Sequence, residues 1–308
     1  MDEFILIDGA TGYLGSHLTN QLRCQGRNVR CLVRKESSAE DVRVLSDSGA
    51  EIVRGSMADE QECEQFFQGA RYAVHLIGSI APPKGQTFVD LHQNLSRAFA
   101  QAAKRSGVQK ILLVTALGTS ADAVSQYHKT KWLAEEEVRK VGLRYTILRP
   151  SLLVGRLFGR RDSKLVRRLL QLIDDKPFVP LINGGANKIQ PLFIKDMVEA
   201  ASRCLSDSYD GETIELGGST VLSMRRFVEA LQEVVGKRKP IINLRPEAGK
   251  LVASLMEMVQ EVPTLSKDQV VLSMSDNICQ ANGLSRILGT DGSSLDEALG
   301  TYRRESTG

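Results

Sequence analysis

The sequence predicts an α/β fold, in which a doubly wound parallel sheet of the Rossmann type precedes a smaller C-terminal α/β domain. Two observations predict this fold. A short apolar run, Phe4–Ile7, leads into three glycines and then into a helical pattern. Four further apolar runs then alternate with amphipathic stretches before residue 116. Such alternation is typical of parallel strands joined by crossover helices, which place ligands at the carboxyl ends of the strands.

The pattern becomes less regular beyond Pro150, where we expect substrate specificity to be built. We therefore expect a dinucleotide-binding domain over 1–155 and a smaller substrate or partner domain over 156–308. A stretch of roughly 186–210 is expected to return to the Rossmann sheet.

The elements follow from the apolar periodicity and from the residues that bound each run. After the first strand and helix, the predicted strands are 28–33, 51–54, 72–77, 110–115 and 213–217, with another near 240–243. The predicted helices are 39–48, 87–106, one that begins after the N-cap Ser125, 223–235 and 251–259.

Three glycines at a spacing of three residues follow the first strand. Gly9 allows a sharp turn, Gly12 allows the backbone to approach a pyrophosphate, and Gly15 allows the helix to pack closely. The first N–H groups of the helix then face the anion. An ordinary glycine-rich turn is the alternative, but the flanking strand and helix favour a dinucleotide. The expected contacts are Gly9, Thr11, Gly12, Tyr13, Leu14 and Gly15.

The second strand ends in Arg34 and Lys35, with Ser37 just beyond. In dinucleotide-binding folds this position meets the adenosine ribose, where a basic residue suits a 2′-phosphate and an acidic one suits a free hydroxyl. We therefore expect NADP(H) to be favoured over NAD(H). A solvated charge pair at a strand end is the alternative.

Tyr127 and Lys131 are four residues apart and would project from one face of a helix. A lysine cation near a phenol should lower the tyrosine pKa from about 10. Such a tyrosine can exchange a proton with a carbonyl or alcohol oxygen, and the hydroxyl of Thr115 could bind the same oxygen. By itself this Tyr-x-x-x-Lys spacing is weak evidence for a catalytic pair, because the same spacing is common on solvated helices.

Together these motifs resemble the short-chain dehydrogenase/reductase superfamily in its extended and atypical branches. The resemblance implies that Tyr127 is the catalytic acid/base, that Lys131 holds the nicotinamide ribose, and that Thr115 replaces the usual serine. It also implies cofactor contacts at the strand ends, where Ser56 stands in place of a frequent aspartate. These implied contacts are Ser56, Met57, Leu76, Ile77, Gly78, Pro150, Ser151 and Leu153.

Other segments are similar to the branch that contains the nucleotide-binding accessory subunit of respiratory complex I and its bacterial relatives. These are His75–Gly78, Val114–Gly118, Gln190–Asp196, Pro263–Val270 and Ser275–Asn277. The resemblance implies an oxidoreductase or an epimerase/dehydratase-like protein acting on a carbonyl or alcohol. The alternative that it implies is a non-catalytic accessory or assembly protein of a respiratory or quinone-related membrane complex.

Composition excludes several other classes. The net charge is only +3 and no basic stripe is interleaved with aromatic residues, so we expect no nucleic-acid partner. Four histidines without ligand spacing predict no metal. Five scattered cysteines indicate reduced thiols and a cytoplasmic location. No apolar run reaches the length of a membrane span. The sequence is nevertheless compatible with a peripheral membrane location or with a partner in a membrane complex.

The second half offers three weaker signals. The basic stretch 156–168 indicates either an anionic, membrane or partner surface or, as we expect, an amphipathic helix with solvated arginines. Asp196 is expected to cap a helix through Cys204. The apolar stretch 251–259 could bind a partner, but packing against the domain is the default expectation.

Overall fold

The computed structural model describes residues 3–158, 161–261, 263 and 265–303, apart from the side chains of 60–62. Its centre is a seven-stranded parallel sheet. The strands of this sheet are β1 (Phe4–Ile7), β2 (Val29–Val33), β3 (Glu51–Arg54), β4 (Ala70–His75), β5 (Lys110–Val114), β6 (Arg144–Pro150) and β11 (Glu212–Leu216). They are arranged in the order β11-β6-β5-β4-β1-β2-β3. This arrangement confirms the predicted Rossmann-type fold.

Helices cover both faces of the sheet, which explains why its central strands are almost wholly apolar. One core lies under α1 (Tyr13–Cys24), α2 (Ala39–Asp47) and α7 (Ile194–Arg203). The other lies under α3 (Glu60–Phe67), α4 (Leu95–Arg105) and α5 (Gln126–Lys140). A doubly wound sheet results.

The predicted second domain contributes to this architecture. Helix α7 packs against α1, and β11 extends the sheet beside β6. The remaining strands form small pairs: β7 (Leu153–Val154) with β10 (Leu192–Phe193), β9 (Lys188–Ile189) with β12 (Leu222–Ser223), and β8 (Val179–Ile182) with β13 (Ile241–Leu244). Around them lie α6 (Lys164–Asp175), α8 (Met224–Val235), α9 (Pro246–Val259), α10 (Lys267–Leu272), α11 (Leu284–Leu288) and α12 (Leu295–Gly300).

Two local predictions are wrong. Asp196 is not a helix cap: α7 begins at Ile194, and the Asp196 carboxylate accepts hydrogen bonds from the amide and hydroxyl of Ser293. The outer face of α9 is not packed against the domain, because Leu251, Leu255 and Met258 are mostly exposed. Among the described helices, none combines the length and the apolar character needed to cross a bilayer.

The predicted helix 87–106 is present but irregular. Its first part, Val89–Asn94, is π-helical, and regular α4 starts only at Leu95. Such wide turns are frequent at functional sites, because they redirect a side chain that a regular helix would place elsewhere. Here the π-helical turn carries His92, which is completely buried.

Candidate active site

The glycine turn is shaped by close backbone contacts. Gly9 has a φ of +63°, and a Cβ added there would lie 3.1 Å from the carbonyl carbon of Leu76. A Cβ at Gly15 would lie 2.3 Å from the Gly9 oxygen, so α1 can approach the turn only with glycine at that position. Gly12 is the N-cap of α1 and provides no side-chain cap.

Without such a cap, the first N–H groups of α1 lie at an uncompensated positive helix end. Thr11, Tyr13 and Leu14 are half-buried around it. The Tyr13 hydroxyl donates to the Gly155 carbonyl at 2.5 Å, so this side chain fastens the turn to the chain after β7. Burial raises the pKa of Tyr13 far above its ordinary value, and the phenol stays protonated. The turn therefore fits a diphosphate through its backbone.

The end of β2 carries an exposed basic cluster. The Arg34 and Lys35 side chains are exposed and Ser37 is half-buried. Arg54, which pairs with Val33 across the β2–β3 ladder, donates to the carbonyls of Arg34, Lys35 and Ser37 at 3.5, 3.0 and 3.4 Å. We did not single out Arg54 in the sequence, although its place at the end of the neighbouring strand was a usable signal.

Ser56 and Met57 follow β3, at the same edge of the sheet. Ser56 is exposed and its hydroxyl accepts a hydrogen bond from the Ala58 amide at 3.1 Å. The Met57 side chain is buried in the core below α3, so only its main chain is placed to meet a ligand.

Lys131 is the centre of the opposite half of the cleft. It is only 4% exposed, and its Nζ donates to the Ile77 carbonyl at 3.2 Å. Gly78 lies directly against this Nζ: a Cβ added there would be 2.4 Å from it. Burial lowers the pKa of Lys131 to about 8, while the Asp8 and Glu135 carboxylates act in the opposite direction. The lysine is therefore poised to change its charge near neutral pH.

His92 lies beside this lysine and was not singled out in the sequence. Its Nδ1 shares a hydrogen bond of 2.7 Å with the Thr130 hydroxyl, and its Nε2 accepts from the Ser79 amide at 3.3 Å. Burial, reinforced by the Lys131 charge, lowers the pKa of His92 to about 2. His92 is therefore neutral at any physiological pH. Only the π-helical turn, which sequence periodicity does not reveal, places it here.

Tyr127 packs against His92. Its ring packs edge-on to the His92 ring at a centroid distance of 5.4 Å and also contacts Phe88. In the described part of the chain, no group forms a hydrogen bond with its hydroxyl, which leaves it available to a ligand. The expected lowering of the Tyr127 pKa is wrong for the protein alone: burial, assisted by Asp268, raises it to about 12.

Thr115 follows β5, as expected, but its hydroxyl donates to the buried Glu135 carboxylate at 2.8 Å. Glu135 is also held by Arg149, at 2.9 and 2.6 Å, and by Arg139 at 3.0 Å. The Thr115 proton is thus committed within the protein, and only the oxygen lone pairs remain for a substrate hydroxyl.

The polar groups at the end of β6 and just beyond it also form hydrogen bonds within the protein. The Pro150 carbonyl accepts from the Leu117 amide, and the Ser151 amide donates to the Leu216 carbonyl at 2.8 Å. The Ser151 hydroxyl donates to the Gln190 carbonyl at 2.5 Å. Leu153 lies in the β7–β10 ladder. These groups shape the wall of the cleft, and Ser151 has no donor left for a cofactor.

A buried hydrogen-bonded cluster lies directly below the glycine turn. The Asp8 carboxylate contacts His75 Nδ1 and accepts from the Leu76 amide at 2.7 Å. His75 Nε2 shares a hydrogen bond of 2.8 Å with the Ser96 hydroxyl. These bonds fix the end of β4, from which Leu76, Ile77 and Gly78 reach the cleft. Among the described residues, no set of three or more His, Cys, Asp or Glu side chains is arranged to hold a metal.

The geometry thus combines an uncapped helix N-terminus, a basic cluster one strand away, and a buried lysine that lies with Tyr127 around His92. A family model described as NAD(P)H-binding matches residues 9–165, which include every one of these features. The chain belongs to the NAD(P)H-binding family.

Several relatives resemble it over most of its length. The NADH dehydrogenase [ubiquinone] 1 alpha subcomplex subunit 9 of Arabidopsis thaliana is 27% identical over 289 residues, which cover 90% of this chain and 71% of that protein. A ceramide reductase of Caulobacter vibrioides is 26% identical over 259 residues, which cover 82% of this chain and 76% of that protein. Among solved structures, the NADPH-dependent quinone oxidoreductase of Escherichia coli superposes with a TM-score of 0.73 at 20% identity, covering 96% and 98% of the two chains.

The neutral state of His92 predicts a specific pH dependence of stability. The unfolded chain binds a proton at this histidine below its ordinary pKa of 6.5, whereas the folded protein does not, so stability falls as the pH falls. Between about pH 7 and about pH 5 this difference costs about 2 kcal/mol of unfolding free energy. We expect the His92→Asn variant to lose about 2 kcal/mol less than the wild type over this interval, as measured by urea unfolding. Equal losses in both proteins would contradict the assigned environment.

Proposed function

We propose that the protein is an NADP(H)-dependent oxidoreductase of the short-chain reductase type, acting on a carbonyl or alcohol carbon of a small molecule. One observation carries the proposal: the Tyr127 ring packs against His92, and His92 Nε2 and Lys131 Nζ both lie beside Gly78, two residues beyond the Leu76 backbone that contacts the glycine turn. A purely structural nucleotide site needs no such group. The ceramide reductase and quinone oxidoreductase among the similar proteins support the same class of reaction.

When bound, the nicotinamide would supply the hydride, and this chain would supply binding, orientation and the proton. We assign Tyr127 as the group that donates a proton to, or accepts one from, the substrate oxygen. Lys131 would bind the nicotinamide ribose. While its amine is protonated, Lys131 would also stabilise negative charge that develops on the Tyr127 oxygen. Thr115, through its lone pairs, would accept a hydrogen bond from a substrate hydroxyl.

The direct test is turnover of a panel of carbonyl compounds with NADPH, followed by loss of NADPH absorbance. We expect Tyr127→Phe to reduce kcat by at least about 100-fold, because general acid–base catalysis contributes on that order. Tyr145→Phe, which changes a half-buried tyrosine at the beginning of β6, is the matched control and should keep kcat. Turnover that survives Tyr127→Phe would remove this residue from the mechanism.

The proposed preference for NADP(H) is supported by the basic cluster at the end of β2. Arg34 is exposed and Arg54 holds the carbonyls of its loop, so the Arg34 guanidinium is accessible to a 2′-phosphate, as the proposal requires. Contacts from Lys35, Ser37 and Ser56 are proposed on the same grounds. Charge-assisted hydrogen bonds of this kind are about twice as strong as neutral ones.

We expect Arg34→Ala to weaken NADPH binding by about 10-fold or more and to leave NADH binding unchanged. Fluorescence titration of both cofactors measures this. Arg43→Ala, which removes another exposed arginine, from α2, is the matched control. Equal affinities of the wild type for the two cofactors, or tighter NADH, would contradict the assignment.

A second function is favoured by a separate observation on α9. One side of this helix exposes a continuous apolar stripe, which we call the α9 stripe: Leu251 (65% exposed), Val252 (37%), Leu255 (57%), Met258 (73%) and Val259 (85%). Exposed apolar surfaces of this kind mark interaction sites. Because several relatives are complex I subunits, we propose as the alternative an accessory or assembly role on a membrane complex, with the α9 stripe as its contact.

The stripe lies close to the cleft, since the Glu261 carbonyl just after α9 accepts from the Lys84 amide in the loop beyond Gly78. We expect Leu251→Gln combined with Leu255→Gln to abolish recovery of respiratory or quinone-pathway subunits in pull-downs from native membranes. Lys250→Gln, which changes an exposed charged residue of α9 outside the α9 stripe, should have no effect. If the wild type recovers no such subunit, the accessory role is wrong.

A further inference from the structure

The beginning of α5 is held by a residue from the other half of the chain. The Asp268 carboxylate on α10 accepts hydrogen bonds from the amides of Gln126 and Tyr127, at 2.8 and 3.1 Å. The Ser125 hydroxyl caps the next amide, that of His128, at 3.0 Å. The first N–H groups of α5, which have no partner within the helix, are therefore capped in two ways: by Ser125 locally and by Asp268, which is 141 residues from Tyr127 in the sequence.

Helix α10 is itself well fixed. Ser266 and Gln269 form a reciprocal capping box at its first turn, and Val270 is fully buried. The side chain of Val270 also packs near Gly249 of α9. Asp268 is thus presented by a rigid element rather than by a mobile loop.

The charge of Asp268 acts on the same residue that its hydrogen bonds hold. Among the described residues, the titratable groups shown to act on or contact Tyr127 are His92 on the π-helical turn, His128 on α5 and Asp268 on α10, and Lys131 follows one turn later on α5. Burial lowers the pKa of both histidines, which leaves them neutral near pH 7. Among these groups, Asp268 provides the negative charge, and a negative charge opposes formation of a phenolate.

We infer that Asp268 is a positioning residue through which the second half of the chain fixes Tyr127 at the beginning of α5 and places a negative charge beside it. This inference rests on the proposed function, because it concerns the residue assigned there as the acid/base. In the reducing direction Tyr127 must hold its proton until the substrate oxygen accepts it. A nearby carboxylate keeps the proton on the phenol until then.

The test measures ionisation of Tyr127 and requires no substrate. Tyrosines are labelled with ¹³C at Cζ, and the Tyr127 signal is assigned by its loss in Tyr127→Phe. We expect Asp268→Asn, which keeps a hydrogen-bond acceptor but removes the charge, to increase the phenolate fraction about 10-fold at a given alkaline pH. Asp268→Glu, which restores the charge, should return the fraction towards that of the wild type.

Ser125→Ala is the matched control, because it removes a cap from the same helix end without changing charge. It should lower the melting temperature and leave Tyr127 ionisation unchanged. If Asp268→Asn does not fold, Asp268→Ser replaces it with the same expectation. An unchanged phenolate fraction in the variant without charge would overturn the inference and reduce Asp268 to a helix cap. Failure of the proposed function would instead appear as an unaffected kcat in Tyr127→Phe.

Discussion

The arrangement of the cleft depends on one buried contact, that between the Lys131 ammonium and the end of β4. An ammonium group withdrawn from water is costly unless it is hydrogen-bonded and near negative charge. Here the Ile77 carbonyl accepts its hydrogen bond, and the Asp8 and Glu135 carboxylates favour its charged form. The contact links α5, which carries Lys131 and Tyr127, to the chain just beyond β4 at the carboxyl edge of the sheet.

Much of the fold could be predicted because its signals are local. The strands that end at Val33, Arg54 and Val114 were predicted to within about one residue, since buried parallel strands are short continuous apolar runs. The role of Ser125 as an N-cap is confirmed for the same reason: its hydroxyl binds an amide only three residues away. The predicted family is confirmed by the match over 9–165.

The features that were missed depend on contacts between distant parts of the chain. His92 lies on a π-helical turn that sequence periodicity does not reveal, and Asp268 contacts α5 from the second half of the chain. The predicted effect of Lys131 on the Tyr127 pKa was wrong because spacing reveals a neighbouring charge but not burial or a carboxylate arriving from elsewhere. Asp196 was misassigned because a helix start and a tertiary contact to Ser293 both favour aspartate.

The central claim is that a bound nicotinamide would face Tyr127 rather than serve as a structural element. A crystal structure of the protein with NADPH tests it most directly. The account predicts the diphosphate on the first N–H groups of α1, the 2′-phosphate beside Arg34, and nicotinamide C4 opposite the Tyr127 hydroxyl across an open space for substrate. A nicotinamide turned away from Tyr127, or a protein side chain filling that space, would contradict the claim and leave the accessory role as the better explanation.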